Sequence, residues 1–258
     1  MKKIINIVLI STIAIAIAGL SGYIYLQYQN KKIKRININI FRANTQKGFL
    51  NKKALLKTIN KDSLISKKPL KEINTEALQK QLNDNPYIAK SDAYLDINGE
   101  LIINVKEKIP IVKVYTLKNQ VFYIDKNGKL FPDKKNYAPH IPIANGYIDG
   151  ISYKTNRTVY DEMYKTSVLP AIYHLSKKIV TDKFLKAFVS QIYINSKKQI
   201  DLIPEIGNQI NRFGDIKNTN IKLENLKAFY KQAFINQNGN KYSQINLEYI
   251  NQIVCTKK

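Results

Sequence analysis

The first pattern in this chain is an unbroken apolar one. Between Lys3 and Lys31 no residue is charged, and Ile4 to Leu26 is largely apolar. As a helix those 23 residues would extend roughly 34 Å, against a bilayer hydrocarbon core of about 30 Å. The pattern predicts a membrane-crossing helix over residues 4–28. Tyr23, Tyr25 and Tyr28 at its far end have the make-up of an interfacial aromatic belt. Ala16-Ile17-Ala18 before Gly19 has the small-x-small form of a signal cleavage site, but the apolar run is longer than a signal core and continues past it, which favours an uncut anchor.

Beyond the anchor the period shortens. Ile36, Ile38 and Ile40 alternate as a strand, and Asn51 opens a helix with Leu50 and Leu55 at the spacing of a hydrophobic staple. Asn74 caps a second helix, with Ile73 and Leu78 as its staple and Leu78 and Leu82 on one face; Asn85-Pro86 ends it. Ala93, Leu95 and Ile97 then alternate up to a two-residue turn at Asn98-Gly99, and Leu101, Ile103 and Val105 resume the alternation. A strand-helix-helix-strand-strand order predicts a small three-stranded sheet with two helices on one face.

From Ile109 the chain reads as short strands with turn signals. Val112 to Leu117 and Val121 to Ile124 are strand-like, Asp125 to Gly128 is a turn, and Ser190 to Asn195 pairs with Gln199 to Ile203. Val159 to Ile179 is helical in pattern with Pro170 as a kink or break, Asp182 can cap a short helix, and Asn220 to Phe234 carries Leu223, Leu226, Tyr230 and Phe234 on one side. Gln244 to Cys255 reads as one closing strand, with Ile245, Leu247, Tyr249 and Ile253 on one face and Glu248, Ile250, Gln252 and Val254 on the other. The fold class is therefore α+β. The expected division is a tail over 1–3, the helix over 4–28, a basic juxtamembrane segment over 29–35, a first domain over 36–107 and a second, mainly antiparallel one over 108–258.

Charge changes the picture less than its size suggests. The excess of 42 Lys+Arg over 19 Asp+Glu gives +23, which points first to nucleic acid or an anionic surface. Only Arg35, Arg42, Arg157 and Arg212 are arginine, the side chain suited to bidentate phosphate and guanine contacts. Lysine scattered among Ile, Asn and Tyr reads as compositional bias, not a nucleic-acid site. A single cysteine, Cys255, excludes an internal disulfide or a cysteine-cluster metal site. The two histidines, His140 and His174, belong to no phosphate loop, zinc helix or nucleophile elbow, and no serine is followed three places on by lysine. Asp125 with Gly128 lacks the further carboxylates of a calcium loop, and Asp161-Glu162 reads as a solvated face. No catalytic residue, cofactor or small-molecule substrate is expected.

The first domain's order and size resemble a POTRA domain. The hairpin ending in Val105-Lys106-Glu107-Lys108-Ile109-Pro110 resembles the FtsQ/DivIB family of bacterial cell-division proteins, as do Val121 to Asp125, His140 to Gly146, Leu202-Ile203-Pro204 and Phe213-Gly214-Asp215. Lys108 stands where that family has arginine. Asn246-Leu247-Glu248-Tyr249 is similar to the family's C-terminal motif with the basic position reversed to Glu248, and together with Tyr230 to Phe234 resembles versions from Bacteroidetes-like bacteria. The resemblance implies a single-pass inner-membrane protein anchored by Ile4 to Leu26, with its N-terminus cytoplasmic and its domains periplasmic at the division septum. By local charge alone, Lys31, Lys32, Lys34 and Arg35 after the span outweigh Lys2 and Lys3 before it and point the other way. It further implies a scaffold, not an enzyme, holding FtsB- and FtsL-like proteins through the terminal strand, with FtsK-like proteins and septal wall synthases as further partners. The partner-binding residues implied are Gln244, Asn246, Glu248, Tyr249, Ile250, Asn251, Gln252 and Val254. The competing readings are a POTRA-bearing translocation or assembly component, which would carry tandem units or a barrel, and an anchored wall-processing enzyme.

Overall fold

The computed structural model describes residues 2–43, 48–63, 65, 68–135, 137–235 and 241–258. The side chains of Tyr28 and Phe234, expected in the aromatic belt and the apolar stripe, lie outside the described residues. The chain divides into two compact units, Met1–Glu107 and Lys108–Lys258.

The first unit begins with α1, Lys2–Asn30, in which Leu9–Gln27 is long and apolar enough to cross a bilayer and is not buried by the protein. β1 (Arg35–Phe41), α2 (Lys52–Ser63), α3 (Thr75–Asn83), β2 (Ile88–Leu95) and β3 (Glu100–Glu107) follow, with a 3-10 turn at Leu70–Glu72. β3 lies centrally, parallel to β1 and antiparallel to β2. Both helix caps form as the sequence predicts: Asn51 Oδ1 accepts from the Lys53 amide and Asn74 Oδ1 from the Ala77 amide, each at 2.8 Å. Leu50, Leu55, Leu78 and Leu82 join Ile38, Ala93, Leu101, Ile103 and Val105 in one core. The hairpin differs from expectation in its turn. Asp96 and Glu100 are the bonded closing pair, so the loop has three residues, with Gly99 at φ 80° in the left-handed position of a bulged turn. At the other end of the sheet the buried Glu107 carboxylate accepts the Phe49 and Leu50 amides, at 2.7 and 3.2 Å, beside Arg42. The carboxylate thereby holds the main chain that leads into the Asn51 cap of α2.

The second unit is one nine-stranded sheet in the order β12-β11-β10-β9-β8-β7-β4-β5-β6. Its strands are β4 (Pro110–Tyr115), β5 (Val121–Asp125), β6 (Leu130–Pro132), β7 (Ile143–Gly146), β8 (Val189–Ile194), β9 (Ile200–Pro204), β10 (Ile210–Gly214), β11 (Tyr242–Asn246) and β12 (Val254–Lys257). Among the described residues five strand pairs are antiparallel and three parallel. Helices α4 (Leu169–Thr181), α5 (Lys183–Phe188) and α6 (Thr219–Ile235) supply Leu169, Ile172, Leu175, Leu185, Leu223, Leu226 and Tyr230 to the core over one face.

Two further expectations differ from the structure. The stretch from Val159 to Val168 is not α-helical: it holds turns and a 3-10 segment at Glu162–Tyr164, and α4 begins at Leu169 with Pro170 in its first turn. Proline has no amide to lose at a helix start and its φ suits that position, so it initiates this helix instead of breaking it. The carboxylates of Asp161 and Glu162 accordingly sit on turns, the former accepting from Thr158 Oγ1 at 2.7 Å and the latter 3.5 Å from Lys165. The second correction concerns the terminal strand.

Candidate partner-binding edge

Gln244 to Cys255 is not one strand. β11 ends at Asn246, the chain turns through Tyr249 to Asn251, and β12 returns antiparallel from Val254, pairing Asn246 with Val254, Ile245 with Cys255 and Gln244 with Thr256. Main-chain and side-chain contacts together force that reversal. The Leu247 amide extends the parallel ladder by donating to Arg212 O at 2.9 Å, and Leu247 is fully buried. Glu248 then folds back: its amide donates to Asn246 Oδ1 at 2.8 Å, and its carboxylate accepts from Asn246 Nδ2 and Gln199 Nε2. It also covers Gly214, at φ 73°, where a Cβ would meet the Glu248 carboxylate at 2.7 Å. Asn225 on α6 holds the turn from the helix side, its Nδ2 donating to Ile250 O at 3.2 Å.

The candidate residues therefore divide three ways. Gln244 and Asn246 lie on β11, whose two edges are taken by β10 and β12. Glu248, Tyr249, Ile250, Asn251 and Gln252 form the reversal, and Glu248 is engaged within the chain. Val254 lies on β12, the end of the sheet order. Tyr249 and Ile250 on the reversal and Val254 on the strand are 52%, 44% and 44% exposed. Cys255, Thr256 and Lys257, which were not among the expected partner-binding residues, complete β12. The Lys258 amide donates inward to Lys241 O, and amides alternate along an antiparallel strand. Thr256 and Val254 thus face β11, and the Cys255 amide and carbonyl face outward.

Two cross-sheet rows show how side chains sort on this sheet. Ala144, Ile192, Leu202, Asn211, Ile245 and Cys255 are register partners beneath the helices, whereas Asn145, Tyr193, Asp201, Arg212, Asn246 and Val254 form the neighbouring row on the uncovered face. Burial beneath the helix layer pushes the Cys255 thiol above its ordinary pKa. In the covered row Asn211 is fully buried, donating to Leu202 O at 3.0 Å and accepting from Tyr230 Oη at 2.9 Å. Burial drives the Tyr230 phenol up to about 12, against the lowering effect of that hydrogen bond. Lys222, also buried, donates to Phe213 O, Asp215 O and Asp215 Oδ1, pinning the loop that leads into α6.

The opposite end of the sheet is closed. β6 is covered by the chain that follows it: Leu130 N donates to Arg157 O, Asn156 N donates to Leu130 O, and Lys129 bridges Thr158. The Asp125 carboxylate, on the turn between β5 and β6, is occupied as an acceptor for the Asn127 and Lys129 amides.

Residues 109–256 match the family model described as FtsQ/DivIB, C-terminal related, and residues 31–106 match that of a POTRA-like domain. The chain belongs to the FtsQ/DivIB C-terminal related family. Both matched families are non-catalytic scaffold families, and FtsQ/DivIB proteins serve bacterial cell division, so in general outline this is a POTRA-bearing division scaffold. Its apolar α1 is a candidate membrane span. No curated protein matches the chain. Within the FtsQ/DivIB-related region the match ends at residue 256, inside β12.

Proposed function

We propose that this protein is a bitopic divisome scaffold, with its N-terminus cytoplasmic and both units periplasmic at the septum, that holds an FtsB/FtsL-like pair on the outer edge of β12. FtsK-like proteins and septal wall synthases are further partners on this reading. The observation that carries it is the position of β12: last in the sheet order, with the Cys255 main chain directed outward and Tyr249, Ile250 and Val254 exposed beside it. An unpaired edge supplies backbone hydrogen bonds to an added strand, and the adjacent apolar side chains select its sequence.

Proline provides the test, because it deletes a single amide. Cys255→Pro removes an outward donor and should abolish co-purification of the FtsB/FtsL-like pair while leaving the melting temperature nearly unchanged. Thr256→Pro removes an inward donor and should lower both. Proline at Ile250 lies in the reversal, where no ladder donor exists, and should weaken capture only in part. Undiminished capture by Cys255→Pro, or a matching collapse of its stability, would defeat the proposal.

A further inference from the structure

We infer that the end of the POTRA-like unit nearest α1 is a docking surface for anionic lipid headgroups; the inference rests on the reading that α1 lies in the bilayer. The starting observation is an uneven distribution of charge within the first unit. Residues 31–72 contain thirteen Lys or Arg against two Asp or Glu, a net +11, whereas residues 73–107 contain three against six, a net −3. Compositional bias alone would not divide one small fold in this way.

The fold then concentrates part of that charge at one place. The Leu70 amide donates to Lys31 O at 2.8 Å, Lys32 bridges Pro69, and α1 touches the 3-10 turn at Leu70–Glu72. Lys34 N donates to Gly99 O, which brings the β2–β3 loop to the same end. Segments nearly forty residues apart thus meet where α1 ends, and Lys31, Lys32, Lys34, Arg35, Lys68 and Lys71 are all exposed there. Glu72, Asp96 and Glu100 are the acidic residues of these segments, and Glu100 is taken up by Asn37 Nδ2 at 2.6 Å. β1 leads away from this collar for seven residues, about 20 Å, and α2 starts at the far end, where Arg42 donates to Leu50 O.

A hydrophobic helix fixes the distance between this collar and the headgroups. Lysines held at a bilayer exit lie within a Debye length, about 8 Å at physiological salt, of any anionic lipid there. Lysine suits such a surface, since a diffuse layer of phosphates demands positive charge and no bidentate geometry. The occupant is therefore the lipid surface that also holds α1, and docking onto it would orient the POTRA-like unit relative to the membrane plane.

The test uses the full chain in nanodiscs of phosphatidylcholine alone or with phosphatidylglycerol, read by amide hydrogen exchange at residues 68–73. With phosphatidylglycerol, exchange should slow by about threefold or more in 0.05 M salt, and the protection should vanish in 0.5 M salt. A triple variant, Lys34→Gln, Lys68→Gln and Lys71→Gln, should lose it. A second triple variant with the same charge change at the far end, Lys52→Gln, Lys53→Gln and Lys106→Gln, should keep it. Equal exchange in the two lipids with the chain inserted overturns the docking surface alone, as does equal loss in both variants, or the same protection from soluble polyglutamate over phosphatidylcholine discs. A chain that fails to co-elute with the discs overturns the reading of α1, and the docking surface with it.

Discussion

Asp201 carries a conflict that a single substitution can resolve. Its carboxylate is buried on the uncovered face, 3.8 Å from Arg212 Nε, yet neither Asp201 Oδ1 nor Arg212 Nε makes a hydrogen bond. Burial raises the Asp201 pKa; the nearby Arg212 and the Asn195 side chain lower it, and Glu248 adds to the rise. The desolvation of the charge outweighs its ion pair, as is common where geometry is imperfect. A folded-state pKa above the unfolded value means that the native protein holds this proton more tightly. The contribution to stability is thus fully present below the ordinary carboxylate value and lost as pH rises through the folded one. Asp201→Asn, which does not titrate, should be at least as stable as the parent at pH 7, with the difference closing as pH falls toward the carboxylate range. Thermal melts between pH 3 and pH 7 measure this, and an Asn variant destabilised most at neutral pH would mean that the ion pair dominates.

At the scale of elements, α6 joins the core to the candidate edge. Tyr230 Oη satisfies the fully buried Asn211 on β10, and on the next turn back Asn225 holds the Ile250 carbonyl of the reversal. Tyr230→Phe removes the donor and leaves Asn211 Oδ1 buried without it, which should lower unfolding stability by about 1–3 kcal/mol. Denaturant titration should show this, with a shift in midpoint and little change in slope. A neutral outcome would mean that solvent reaches Asn211. The same elements show what a sequence can reveal. α2, α3 and α5 are written in their caps, α6 in the spacing of Leu223, Leu226 and Tyr230, and β8 with β9 in alternation around a short turn. β7 is not legible: with only Ala144 fully buried among its four residues it has no alternation, and its parallel partners β4 and β8 are remote in sequence. The reversal after β11 was hidden because Leu247 prolongs the alternation of Ile245 by one step. The turn itself has neither glycine nor proline to announce it. What reverses the chain is the contact of Leu247 with Arg212 and of Glu248 with Gln199, and neither is a local signal.

At the scale of the whole molecule, the proposed periplasmic placement of both units has a chemical readout. Cys255 reports on it as the sole thiol, half-buried on β12. A membrane-impermeant maleimide should label Cys255 in intact spheroplasts to the same extent as after detergent, and protection that detergent relieves would place the units inside the cell. Because burial raises the thiol pKa, labelling should be slower than that of a free thiol at neutral pH and should keep accelerating with pH beyond the range where a free thiol levels off. The same charge that a positive-inside count assigns to the cytoplasmic flank, Lys31 to Arg35, is also the start of the basic collar, so a periplasmic placement gives those residues a use that membrane insertion does not.

The asymmetry of the nine-stranded sheet sets a limit on what it can build. With β6 sealed by residues 156–158 and β12 ending the other side, the proposed mode of binding would make the sheet resemble a monofunctional end group in a polymerisation: among the described residues one side could accept a newcomer and no second side is open for growth. Two open sides would invite stacking into fibres at high local concentration, whereas one open side would stop the reaction after a single addition.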